Sequence, residues 1–576
     1  MTCFLRRRSE YGDDLPNGFY NSLVSGTFER CELREKTMTD HGADLVIRAG
    51  AVHTLVPGQA AQRVLAVRGD RIAAVSADPH GLDHLITGKT EVRDLPGATV
   101  LPAFDDTHTH LIFAALGAQD VPVHQARTIP EFLDLIRQRA AVTPEGEWIR
   151  TTTNWQELNL AERRMPTAAE LDTATDRHPV LVKRGGHNDV VNTYALRLAG
   201  ITEDTPVPPG GTIGRGADGK LDGRLIDNAL HLVERLVPAP DRAERIEGLR
   251  IATRDYAATG IGTVRDCAVA PEDYQVLRAA REAGVLSVRV RALISALGMT
   301  SAAQVEDLLD TMEEWRDTAD PQLSVWGVKF GLDGGLEAGA TEEPYACDHS
   351  FSGMLIWEPD ALVEAVEAVI RRGWRVGTHA YGDRAVRTLL DVYERVRDRN
   401  PGLPAGTLVM EHGGLAGPEQ RARAVALGIP VTIQQPLLHD TAEVEETFWG
   451  PERVARLFPA RGWIDLGAQV SAGSDFPVGQ FGAMRSVYGM TTRQTVIGVK
   501  GPEHAISYDE ALTLHTTQAA HLTGESHLRG TLTPGRWADF TIWDQEPAHC
   551  PGDTLRDLNP THTFVGGRLA APTETR

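Results

Sequence analysis

The sequence predicts an α/β protein built on a (β/α)8 TIM barrel, with a small β-sandwich domain made from both ends of the chain and a subdomain inserted after barrel strand 1. Three observations carry this expectation. From about residue 260 onward, short strand-like runs alternate with helical runs, the pattern of parallel βα units. The run ending at His110 and the seven strand-like runs that follow make eight, the count of a closed barrel. Both ends of the chain are rich in short strands and turns, and β pieces this short rarely stand alone.

Composition narrows the function classes. With 576 residues, 41% hydrophobic and 24% charged, the chain has the make-up of a soluble globular protein longer than one ordinary domain. A net charge of −21 disfavours nucleic acid and anionic membranes as partners and leaves a small-molecule substrate open. No apolar run reaches the roughly 18 residues of a membrane span. Met1 to Arg8 is basic, but no apolar stretch follows it. The five cysteines are far apart and form no Cys-x-x-Cys site. A cytoplasmic location is therefore expected. Residues 1–42 are polar and aperiodic and read as a disordered extension.

The elements follow in order. Asp44–Arg48, Arg63–Val67 and Arg71–Val75 are β-type runs, as are Gly530–Leu532, Ala538–Trp543 and Thr563–Gly567. They place the composite β domain at 43–102 and 528–576. Val100–His110 reads as a buried strand ending in histidines at i and i+2, which share a face in extended chain. Residues 115–250 do not fit one βα connection and read as the insertion, with turns at Pro208–Gly211 and Gly214–Gly219. The remaining barrel strands, within 103–527, are Gly262–Asp266, Ser287–Leu293, Val325–Phe330, Arg375–His379, Thr407–His412, Pro430–Gln434 and Gln469–Asp475. Asp360–Ile370 and Arg384–Arg397 carry apolar residues at helical spacing, and Ser507–Glu510 is a capping box.

In a barrel, the C-terminal strand ends converge on one site. Those ends carry His108, His110, Lys329, His379, His412 and Asp475. Twenty histidines in 576 residues would produce about 0.7 His-x-His pairs by chance, so His108 and His110 alone decide little. Any one of the six could be a hydrogen-bonded structural residue, and a lysine within an apolar strand needs a special reason. Together they form an inventory suited to a divalent metal, zinc above all.

Asp106-Thr-His-Thr-His110, Val328-Lys-Phe-Gly-Leu-Asp-Gly334, Thr378-His-Ala-Tyr-Gly-Asp-Arg-Ala385, Glu411-His412 and Gly473-Ser-Asp-Phe-Pro477 resemble the amidohydrolase superfamily. Within it they are similar to the YtcJ-like group that includes N-substituted formamide deformylase. The resemblance runs from about Asp44 to Gly567. It implies one or two Zn2+ ions per chain. His108, His110 and Asp475 would hold the first and His379 and His412 the second, with a carboxylated Lys329 bridging them. The implied catalytic set is Asp475, as acid/base, with Lys329 and His379. The implied reaction is hydrolysis of a C–N bond, of the formamide type, in a small molecule. Asp333-Gly-Gly335 and Asn154-Trp155 depart from the group's usual Asp-Gly-Ser and Gly-Trp.

His187, in Arg184-Gly-Gly-His187, and Trp155 and Gln435 are the candidate substrate contacts. His439 and His515 read as structural, Cys267 as a small buried hydrophobe, and Asp383-Arg384 as residues that orient the loop after His379. A homodimer is the expected assembly. Two other readings stay open: ester, lactone or cyclic-amide hydrolysis at the same site, and a non-catalytic metal-binding regulatory protein.

Overall fold

The computed structural model describes residues 42–184, 188–208, 211–316, 320–335 and 337–572. The expected extension lies, but for Gly42, outside the described residues, and so does His187.

Eight parallel strands form the barrel sheet: Phe104–Thr109, Ile261–Val269, Arg289–Ser295, Leu323–Gly331, Arg375–Ala380, Leu408–His412, Val431–Ile433 and Val470–Ala472. The eighth lies against the first, where Thr107 Oγ1 donates to Ala472 O at 2.9 Å and Asp475 N to His108 O at 2.8 Å. Gly473 is required at this seam, since a Cβ there would sit 2.5 Å from His108 N. Amphipathic helices such as Pro359–Arg371 and Asp383–Arg399 cover the outside with Leu362, Val366, Leu389 and Val396. Tyr508–Leu514 begins with the expected capping box, Ser507 and Glu510 satisfying each other's backbone N–H groups.

The two ends of the chain meet in one seven-stranded sheet. Leu45–Val52, Gln62–Arg68, Arg71–Ser76 and Glu91–Pro102 join Phe540–Trp543, His562–Val565 and Arg568–Pro572. Alternation along the strands feeds two cores. Ile47, Leu65, Val100 and Phe540 pack on one face, and Val46, Val64 and Ala66 pack with Leu82 on the other. Gly530–Leu532 is not a strand. Leu532 is buried in this core and its N–H donates to Thr54 O at 3.0 Å, so its apolar character serves a loop contact.

The single run expected over Val100–His110 is two strands in two sheets. Ala103 N donates to Asp539 O of the terminal sheet, and Phe104 N to Gly260 O beside the barrel, each at 3.0 Å. No change of burial marks this switch, because Ala98–Thr109 is buried throughout.

After helix Leu111–Gly117 the chain leaves the barrel. It builds a five-stranded sheet from Ile149–Arg150, Val180–Arg184, Asn188–Val191, Leu221–Asp227 and Gly211–Arg215, in that spatial order. It returns in helix Arg242–Ala258, which packs on Leu111–Gly117 and leads into the second barrel strand. This helix opens at Asp241 with a capping box to Glu244, so the barrel resumes there rather than at residue 250. Among the described residues no helix is long and apolar enough to cross a membrane.

Candidate functional site

All six expected residues lie at the C-terminal ends of barrel strands, around one point. His110 Nε2 lies 3.0 Å from Asp475 Oδ1, and His108 Nε2 lies 3.5 Å from the same oxygen. Lys329 Nζ is 3.4 Å from His108 Nε2. The His412 ring stands 4.5 Å from that of His108 and 4.4 Å from that of His379, centre to centre. His412 and Asp475 both have left-handed backbones, at φ +73° and +58°, a conformation rare for residues with side chains and characteristic of functional sites.

Burial sets the charges. It pushes His108 down to about 4 and His379 to about 3, with the Lys329 ammonium adding to both. His412 is driven well below its usual value by burial and by its histidine neighbours. These imidazoles are therefore neutral near pH 7, the form that binds metals. Burial opposes the charge of Asp475, but its His110 hydrogen bond and the nearby His108 and Lys329 hold it below the ordinary carboxylate range.

A second layer, with no role assigned from the sequence, holds the first. Glu411 is fully buried and carries three charge-assisted contacts. Arg265 Nη2 donates to Oε1 at 2.6 Å, and His108 Nδ1 and Thr432 Oγ1 donate to Oε2 at 2.7 and 2.8 Å. Burial disfavours its ionisation, yet the Arg265 guanidinium and His108 hold it well below the usual range. Gly377 makes room for this pair: a Cβ there would meet Glu411 Oε1 at 2.4 Å and Arg265 Nη2 at 2.9 Å. His412 Nδ1 donates to Gln434 Oε1 at 2.7 Å. Asp333 accepts from the N–H groups of Ala340, Tyr381 and Gly382, and Gly334 O accepts from His379 Nε2 at 3.0 Å. The two strand ends are thus tied together, while burial pushes the Asp333 carboxyl up to about 7. The sequence signal for Thr432 and Gln434 was available: they are i and i+2 across the end of the strand Val431–Ile433, and their side chains meet each other, Gln434 Nε2 donating to Thr432 Oγ1 at 3.0 Å.

The donor set suits a divalent metal. Ligand atoms of His108, His110 and Asp475 lie within 4.8 Å of one another, and His110 Nδ1 is buried without a hydrogen-bond partner among the described residues. Lys329, 3% exposed, has no ion-pair partner among the described residues.

The model of the Amidohydrolase family matches residues 91–571. The chain belongs to the amidohydrolase family. It is 29% identical to an N-substituted formamide deformylase of Arthrobacter pascens, over 91% of this chain and 98% of that protein. It is 28% identical to the protein LONG AFTER FAR-RED 3 of Arabidopsis thaliana, over 92% of each. In fold it matches an uncharacterized metal-dependent hydrolase of Pyrococcus furiosus with a TM-score of 0.69 at 22% identity, over 88% of this chain and 99% of that one.

This amidohydrolase opens to solvent through a cleft of about 1740 Å³ between barrel and insertion, lined by His110, Phe113, Trp155, Lys183, Phe476 and Phe481 among others. Trp155 lies on its wall, donates to Lys183 O at 2.6 Å and packs on Phe132, so it serves both wall and core. Gln435 does not face the cleft. It is fully buried in helix Gln435–Trp449, where its Oε1 accepts from Arg493 at 2.9 Å. His439 lines the cleft and pairs with Asp440, while His515 is buried against Asp105 O. Cys267 is buried inside the barrel beside Arg265, its thiol pushed up by burial. Asp383 accepts from Glu342 N, and Arg384 donates to Ser352 O and Gly353 O, which fastens the loop beside His379.

Proposed function

We propose that this amidohydrolase hydrolyses a C–N bond of a small amide, with an N-substituted formamide as the leading substrate class. The observation that carries the reading is the convergence of His108, His110, Lys329, His379, His412 and Asp475 at one barrel mouth. The 29% identity to a formamide deformylase, over nearly the whole of both chains, supports the substrate class.

His108, His110 and Asp475 would hold one zinc ion. His379 and His412 would hold a second, with Lys329 shared between them as a carbamate formed from its amine and carbon dioxide. A bound zinc supplies a water acidified to near-neutral pKa and a Lewis acid for the carbonyl oxygen. Asp475, beside His110, takes the proton of the attacking water and returns it to the departing nitrogen. The carbamate would give the buried Lys329 an anionic form suited to a ring of imidazoles and metal, where an ammonium has no carboxylate within ion-pair distance among the described residues. The aromatic wall of Phe113, Trp155, Phe476 and Phe481 sheds water from the bond being cut.

The test is metal per chain by plasma mass spectrometry, on protein produced with zinc and bicarbonate, for wild type and Lys329→Ala. About two metals in wild type and a clear loss in the variant support the bridged centre. About one in both makes the chemistry mononuclear, and none in either overturns the hydrolase reading. Metal-loaded protein is then offered formamides, other amides and esters. Release of formate with amine supports the proposed class, and release only of alcohol moves the activity to esters.

A further inference from the structure

The contacts behind the histidines form one unbroken chain. His108 Nδ1 donates to Glu411 Oε2 at 2.7 Å, and Thr432 Oγ1 donates to the same oxygen at 2.8 Å. Gln434 Nε2 donates to Thr432 Oγ1 at 3.0 Å, and Gln434 Oε1 accepts from His412 Nδ1 at 2.7 Å. Every member is buried, and Arg265 holds the remaining oxygen of Glu411 at 2.6 Å.

The direction of each bond is dictated by chemistry. A carboxylate only accepts, so His108 carries its proton on Nδ1. The Lys329 ammonium only donates, and it faces His108 Nε2, which agrees. The Thr432 hydroxyl spends its one proton on Glu411, so toward Gln434 it can only accept. The amide must then turn its NH2 to Thr432 and its oxygen to His412, which places the His412 proton on Nδ1 as well.

We propose that Thr432 and Gln434 are positioning residues that, anchored on Glu411 and Arg265, fix His108 and His412 in the same Nδ1–H tautomer and present Nε2 of both to the metal centre. The proposal rests on the reading of these two histidines as metal ligands, and it adds that they are set as one unit, not one by one. Thr432 is the decisive member, because its hydroxyl is the Gln434 amide's hydrogen-bond partner on that side among the described residues, and without it the two ends of the amide are not distinguished. A flipped amide would offer N–H to His412 Nδ1, forcing the proton to Nε2 and closing that nitrogen to metal. Outer-layer contacts of this kind are worth about 10- to 100-fold in metal affinity.

The experiment compares wild type, Thr432→Val and Thr432→Ser. Valine keeps the shape and loses the hydroxyl, and serine keeps the hydroxyl. Zinc affinity is read by competition with a chelator, and imidazole tautomers by 15N spectra of histidine-labelled, metal-free protein, with His412 identified by its loss in His412→Gln. The expected result is zinc binding about 10- to 100-fold weaker in Thr432→Val, near wild type in Thr432→Ser, and a His412 shift from Nδ1–H toward Nε2–H in the valine variant alone. Melting of the metal-free proteins separates this from a general loss of fold. Wild-type affinity and an unchanged tautomer in Thr432→Val overturn the proposal, as does an equal loss in Thr432→Ser. If wild type takes up no zinc, the metal reading fails, and the metal-free spectra still decide the tautomer claim by themselves.

Discussion

At the scale of the residue, the site is organised by what each polar atom can do once water is removed. Asp475 keeps its charge in a buried place because His110, His108 and Lys329 surround it. On the proposed mechanism, Asp475→Asn removes the proton carrier and a metal donor together. It should lower kcat/KM by 10²-fold or more, roughly the worth of a positioned acid/base, measured by formate release from the amide found in the screen. An unchanged rate would move the proton-transfer role away from this residue. Gly377 is a subtler case. Its place beside Glu411 Oε1 and Arg265 Nη2 leaves no room for a methyl group, so Gly377→Ala should destabilise the protein by about 1–3 kcal/mol. It should also weaken zinc binding, since His108 leans on Glu411. A melting temperature and chelator competition equal to wild type would mean that the pair relaxes without cost.

At the scale of the element, the alternation of a strand separates neighbours that look equivalent in the sequence. Thr432 and Gln434 point into the barrel, whereas Gln435 starts the next helix and turns away toward Arg493. Arg493 also donates to the carbonyls of Leu457, Phe458 and Lys500, so Gln435 belongs to a buried scaffold under the mouth. Gln435→Ala should therefore cost about 1–3 kcal/mol of stability, the desolvation left by an unpaired partner, and leave KM unchanged. A raised KM with unchanged melting would restore it as a substrate contact. Strand ends were the most legible feature of the site, since His108, Lys329, His379 and His412 close apolar runs. The switch of sheets at Ala103 was not legible, because burial runs unbroken from Ala98 to Thr109 and only Ala103 separates the two strands.

At the scale of the molecule, buried ion pairs join the terminal sheet and its preceding loop to the barrel. Arg289 grips Asp539 through two bonds of 2.7 and 2.8 Å, Arg291 meets Glu525 at 2.7 Å, and Arg529 bonds both Glu525 and Asp105. Burial works against Glu525, but Arg529 and Arg291 bring it down to about 2. A carboxylate whose folded value is depressed stabilises the fold above its unfolded value near 4.5 and loses that contribution as pH falls toward 2. The shift corresponds to about 3 kcal/mol. Asp105 carries the opposite sign: burial outweighs Arg529 and pushes it up to about 6, so its protonation below that pH favours the fold. Comparing wild type with Glu525→Gln isolates the first effect. The wild type should melt higher at pH 7, and the gap should close between pH 4.5 and 2. A gap that persists unchanged to pH 2 would rule out the ionised carboxylate as its source.

Strand periodicity in the sequence determined the barrel, its motifs carried the resemblance to the family, and the candidate site residues could be named because the residues that close each strand are a local property. Only the tertiary structure decided which atoms face which. Arg265, Glu411, Thr432 and Gln434 come from three different strands and the end of one of them, and their partnership exists only where the barrel folds them onto the same interior layer. The start of the returning helix at Asp241 and the burial of Gln435 likewise depend on what packs against them, which no single stretch of chain contains.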